Sequence, residues 1–90
     1  MTTELTPKFV DLIPEEIEEN ILYVSFEYNV SFHLCPCGCQ SRIIIPFGER
    51  GWEIKREGSL ISFSPSIGNW YLDCKSHYFI IKNKIHWANT

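Results

Sequence analysis

The stretch Cys35-Pro36-Cys37-Gly38-Cys39 packs three of the chain's four cysteines into one short segment, and the fourth heads Cys74-Lys75-Ser76-His77. Thiols this close, paired with a distant C-x-x-H, are the usual way to hold one tetrahedral zinc ion, each half offering neighbouring ligands from a tight turn. Pro36 and Gly38 suit such a turn, because proline fixes φ and glycine lets backbone amides swing toward sulfur. The constraint is strong because the chain is short. Its 90 residues make one domain, 1–90, whose hydrophobic core contributes only a few kcal/mol net, so a metal staple is a natural supplement. Zinc binding is worth about 10–16 kcal/mol in finger-type peptides, comparable with the net stability of a whole domain.

Five candidate ligands, Cys35, Cys37, Cys39, Cys74 and His77, compete for four positions. In an extended strand Cys35 and Cys37 point the same way, whereas a turn over Pro36 to Gly38 brings Cys37 and Cys39 together and leaves Cys35 outside. The expected set is therefore Cys37, Cys39, Cys74 and His77, with Cys35 to spare. In the alternative, Cys35 is the fourth ligand and His77 is free to act elsewhere. Four protein ligands close the site and make it structural, while three leave room for an activated water. The sequence contains no H-E-x-x-H, no H-x-E ahead of the C-x-x-H, and no G-x-S-x-G elbow, so the familiar metal-hydrolase, deaminase and α/β-hydrolase signatures are missing.

A formal charge of −3 and scattered basic residues (Lys8, Arg42, Arg50, Lys55, Arg56, Lys75, Lys82, Lys84) argue against nucleic acid, whose binders concentrate positive charge on one face. The start lacks a basic region followed by an apolar one, and no run approaches the roughly 20 apolar residues of a membrane span. The expected location is the cytoplasm, where disulfides are rare and four cysteines point to metal or catalysis.

Along the chain, residues 1 to 12 read as an extended lead-in. "IPEEIEEN" predicts one short helix, with Pro14 at its first position and Glu15 and Glu16 complementing the N-terminal dipole. From Ile21 onward β-branched and aromatic residues alternate with polar ones, which is strand chemistry. "ILYVSFEY" and "NVSFHL" are two strands or one bent strand, and in the second Ser31, His33 and Cys35 share a face opposite Val30, Phe32 and Leu34. "RIIIPF" is a further strand. "GWEIKREGSLISFS" is a hairpin turning at Arg56 to Gly58, and "HYFIIKNKIHWA" is another turning near Asn83 and Lys84. The expected fold is mainly β: a small domain of antiparallel hairpins stapled by zinc, with one short N-terminal helix.

The polar groups nearest the thiols are the candidates for chemistry. His33 lies on the cysteine-bearing face of its strand and is a candidate base, as well as a half-buried structural residue. "SPSIGNW" is a loop presenting Ser64, Ser66 and Asn69 beside Pro65 and Gly68, and such loops hold reacting groups as well as capping turns. Catalysis would need an open metal position, or a serine or cysteine within hydrogen-bond reach of His33 or His77, and Ser66, His33 and Asn69 are the candidates. Trp52, Trp70 and Trp87 read as core.

The ordered blocks "HLCPCGC", "PSIGNW", "C-x-S-H-Y" and "W-A", over residues 30 to 88, resemble a family of small bacterial zinc-binding domains encoded beside ubiquitin-like conjugation genes. The resemblance implies zinc held in the region of Cys37, Cys39, Cys74 and His77 with Cys35 adjoining. It also implies an activity that processes or removes a ubiquitin-like modifier, with that modifier or its conjugation enzymes as partners. Gln40 departs from the glycine expected after the first block. A non-catalytic zinc-stapled interaction module in the same pathway is the alternative, and the residues alone favour it.

Overall fold

The computed structural model describes residues 1–88, which contain nine β-strands and no helix. Strands β1 (Thr6–Phe9), β2 (Ile21–Ser25), β3 (Val30–Leu34) and β4 (Arg42–Pro46) form one sheet in chain order. Strands β5 (Glu53–Glu57) and β6 (Leu60–Ser64) form a hairpin, and β7 (Ile67–Gly68), β8 (His77–Ile81) and β9 (Lys84–Trp87) form a third sheet. All pairings are antiparallel except β1 with β2, where Thr6 lies opposite Ile21 and Phe9 opposite Val24.

That parallel pair explains the helix that the sequence predicts and the structure lacks. After β1 the chain must travel back along the strand before β2 begins, and residues 10–20 make this return in open conformation. Glu15, Glu16, Glu18 and Glu19 repel one another at helical spacing, and a segment this short cannot offset the cost of a helical nucleus. Its backbone groups find partners elsewhere: Arg42 Nη1 donates to the Glu15 carbonyl at 2.7 Å, and the Glu18 amide donates to Tyr23 Oη at 3.0 Å. The first twelve residues are likewise more than a lead-in, since they contain β1 and the buried Leu5.

The three sheets enclose one core, built from Leu5 just ahead of β1, Leu22, Val24, Ile43 and Ile45 of the first sheet, Ile61 and Phe63 of the second, and Ile67, Tyr78, Ile80 and Ile85 of the third. Asn83, in the β8–β9 turn with φ 72°, ties them together. Its amide donates to the Ile61 carbonyl, its Oδ1 accepts from the Ile61 amide, and its carbonyl accepts from the Leu5 amide. On β3 the inward face is the polar one: Ser31, His33 and Cys35 are buried, and Val30, Phe32 and Leu34 are half-covered. Ile43 and Ile45 stand opposite His33 and Ser31, and Tyr78 from the third sheet caps His33, so the polar side chains sit where partners exist.

A serine–histidine pair beside a four-thiol cluster

The β3–β4 connection carries Cys35, Cys37 and Cys39, and the turn ahead of β8 carries Cys74. The four sulfurs lie within 4.8 Å of one another, and all four thiols are free. Sulfurs about 2.3 Å from a tetrahedral zinc stand about 3.8 Å apart. Here Cys35–Cys74 and Cys39–Cys74 are each 3.8 Å and Cys35–Cys37 is 3.4 Å, so the cluster fits a tetrahedral thiophilic cation.

The backbone supports it in a regular way. The amides of Cys37, Cys39, Ser41 and Ser76 each hydrogen-bond the sulfur two residues before them, which favours thiolate in every case. Burial pushes the Cys37 thiol up to about 12 and Cys35 in the same direction. Hydrogen bonds to Ser41 hold Cys39 down to about 6, and the Ser76 amide lowers Cys74. Gly38 and Gln40 have φ of 96° and 67°, the left-handed region that glycine takes most easily. Gln40, where the resemblance leads one to expect glycine, hydrogen-bonds Glu19 through its side chain.

His77 does not belong to this cluster. It opens β8, and its Nε2 lies 2.8 Å from Ser66 Oγ, in the loop just ahead of β7. Cys35, the residue expected to be spare, stands among the four thiols, and His77 faces Ser66. Pairing of Gly68 with His77 and Ile67 with Tyr78 fixes the two segments. The Ser66 carbonyl accepts from Trp52 Nε1 at 3.3 Å. The His77 Nδ1 atom is buried and finds no partner among the described residues, so the pair is a dyad with no third polar group holding the ring. What holds it instead is the Trp70 indole, its centroid 5.0 Å from that of His77. Trp70 also lies over Gly68, where a Cβ would come within 2.6 Å of Nε1. Two of the tryptophans expected in the core, Trp70 and Trp87, are in fact partly exposed.

His33 and Asn69 are buried away from this pair. His33 Nε2 is 2.7 Å from Tyr78 Oη, and burial lowers its pKa to about 3, so the ring is neutral. Asn69 donates from Nδ2 to Ser76 Oγ at 2.8 Å, and its amide donates to the Ser76 carbonyl. Ser76 Oγ in turn lies 3.2 Å from Cys35 Sγ. One set of polar links thus runs from the thiols through Ser76 to Asn69, and a separate one joins Tyr78 to His33. Sequence reading singled out neither Ser76 nor Tyr78, although both flank His77 in the C-x-S-H-Y block.

The fold and site together define a small all-β protein in which a serine–histidine pair is built onto a four-thiol cluster. The family is then shown by comparison: the family model described as bacterial ubiquitination-like system serine protease (BubE) matches residues 9–88, and the chain belongs to that family. The match reaches well ahead of residue 30, where the sequence resemblance began. No curated protein and no solved structure gives a match. Membership associates the chain with protein partners in a ubiquitin-like system. Among the described residues no helix is long and apolar enough to cross a membrane.

Proposed function

We propose that the protein is a serine peptidase of the bacterial cytoplasm that cleaves at the tail of a ubiquitin-like modifier, with Ser66 as nucleophile and His77 as general base. The observation that carries the reading is the 2.8 Å contact between Ser66 Oγ and His77 Nε2, the nucleophile–base geometry of acyl transfer. With the ring proton on Nδ1, Ser66 donates its hydroxyl proton to Nε2 as Oγ attacks the carbonyl carbon. The imidazolium then returns that proton to the departing amine, and His77 deprotonates the water that releases the acyl group. The Asn69 amide donates to the Ser76 carbonyl. The neighbouring Gly68–His77 pair is therefore a non-bonded one, and the Gly68 amide points out from the free edge of β7. That amide is the donor proposed to meet the oxyanion. Trp70 shields the dyad from water on its exposed side.

Cys35, Cys37, Cys39 and Cys74 would hold zinc as a closed tetrathiolate. The ion supplies structural cross-linking of the β3–β4 connection to the segment that carries His77, and no reacting position. His33 and Asn69 then serve the scaffold, not the reaction.

The test is hydrolysis of a modifier precursor bearing a C-terminal extension, followed by intact-mass spectrometry. Wild-type protein is expected to release the extension, and Ser66→Ala and His77→Ala to lose the activity while retaining stoichiometric metal. Cleavage that survives Ser66→Ala would overturn the assignment, and so would precursor left intact by wild type over long incubation. Family membership supports the protease reading over a purely structural interaction module.

A further inference from the structure

The β7–β8–β9 sheet has one face in the core and one toward solvent. On β8, Tyr78 and Ile80 point inward and His77, Phe79 and Ile81 point outward. Register places His86 beside Phe79 and Lys84 beside Ile81 on the outward face. Such a face ordinarily carries polar residues, yet Phe79 is 39% and Ile81 44% exposed. The apolar residues flank the dyad: Trp70, 54% exposed, lies 5.0 Å from His77, and Phe79 lies 6.3 Å from it. The other exposed aromatic cluster, Phe9 with Phe26, is covered by Arg56 stacked 4.0 Å over Phe9.

Resting on the serine–histidine reading, we propose that Trp70, Phe79 and Ile81 form the surface that binds an extended substrate segment next to the scissile bond. It selects chains with large apolar side chains at every second position there. Side chains on one face of an extended chain repeat about every 6.7 Å, close to the 6.3 Å between the His77 and Phe79 rings. A peptide whose reacting carbonyl sits at the dyad, and which runs along β8, sets its next same-face side chain over Phe79 and the following one over Ile81. Leucine-sized groups there remove apolar area from water on both partners, and polar groups gain nothing. The strip is thus a specificity determinant, flanking the reacting centre.

The test is fluorescence anisotropy using the Ser66→Ala protein, purified without chelator, so that binding is read without hydrolysis. The probes are a fluorescein-labelled peptide with leucine at alternate positions and a twin with serine there. The leucine peptide is expected to bind about tenfold or more tightly, and Phe79→Thr and Ile81→Thr each to weaken it about tenfold, as for one lost apolar contact. Threonine keeps the strand. Ile44→Thr, at an exposed position on a different sheet, is expected to change nothing. Equal binding of the two peptides overturns the proposal, as does leucine binding that survives loss of both Phe79 and Ile81. A sedimenting dimer that Phe79→Thr dissolves also overturns it, because a second copy then covers the strip. Labelling of wild-type Ser66 by a small fluorophosphonate reports the dyad separately. Labelling without peptide preference sinks the strip alone. Preference without labelling supports the strip and sinks the dyad.

Discussion

Replacing Tyr78 with phenylalanine isolates the buried hydrogen bond that it makes with His33. The ring keeps its packing, including the edge contacts with Trp87 at 5.5 Å and His33 at 5.9 Å, and only Oη is lost. One group is then stranded: His33 Nε2, which was 2.7 Å from Oη. His33 is fully buried and its Nδ1 already lacks a partner, so the ring would have no hydrogen bond at all. An orphaned buried polar group costs about 1–3 kcal/mol, which is the loss expected for Tyr78→Phe. The assay is equilibrium urea unfolding at fixed free zinc, by fluorescence and circular dichroism. His33→Leu combined with Tyr78→Phe should be clearly more stable than the sum of the single losses, since both polar partners then go together. A cost below about 0.5 kcal/mol for Tyr78→Phe, or strict additivity in the double variant, would refute the claim that His33 and Tyr78 are a coupled pair.

Three more outcomes follow from the same geometry. Cys74→Ser, or a strong chelator, should remove stoichiometric zinc by elemental analysis and unfold the protein at ambient temperature, because the lost binding energy rivals the stability of the whole domain; a folded protein without metal would contradict this. Gly68→Ala should displace the Trp70 ring that lies 2.6 Å from the added Cβ, cutting turnover while shifting the thermal midpoint little, as the half-exposed indole can move outward. Gln40→Gly should stabilise the chain by up to about 1 kcal/mol in urea unfolding, relieving a left-handed residue, less whatever the exposed contact with Glu19 contributes.

The strands were legible in the sequence because their signals are local. Alternation and β-branched or aromatic runs located β2 to β6 and the β8–β9 hairpin to within a few residues, and glycine or asparagine marked the turns. The glutamate-rich segment misled because dipole and proline rules describe an isolated helix, whereas here a parallel strand pair required the chain to return in an open path. The depth of His33 was not legible for a related reason: alternation marks it as a candidate base or a half-buried strand residue, and only a tyrosine from a distant strand makes full burial tolerable.

The chain's own order of residues determined that thiols, a serine loop and a C-x-x-H turn would be available for chemistry, since the identity and spacing of side chains decide which ligands and nucleophiles exist. It did not determine how they divide. Spacing favoured His77 as the fourth ligand and left Cys35 as the spare, with the reverse as the alternative, because each can reach a metal from a turn. The tertiary structure decided between them: strand pairing of β7 with β8 sets His77 on the outward face against Ser66, while Cys35, at the end of β3 on its buried face, meets Cys74 and Ser76. Which face a strand residue occupies follows from register, and register is fixed by the packing of the whole sheet.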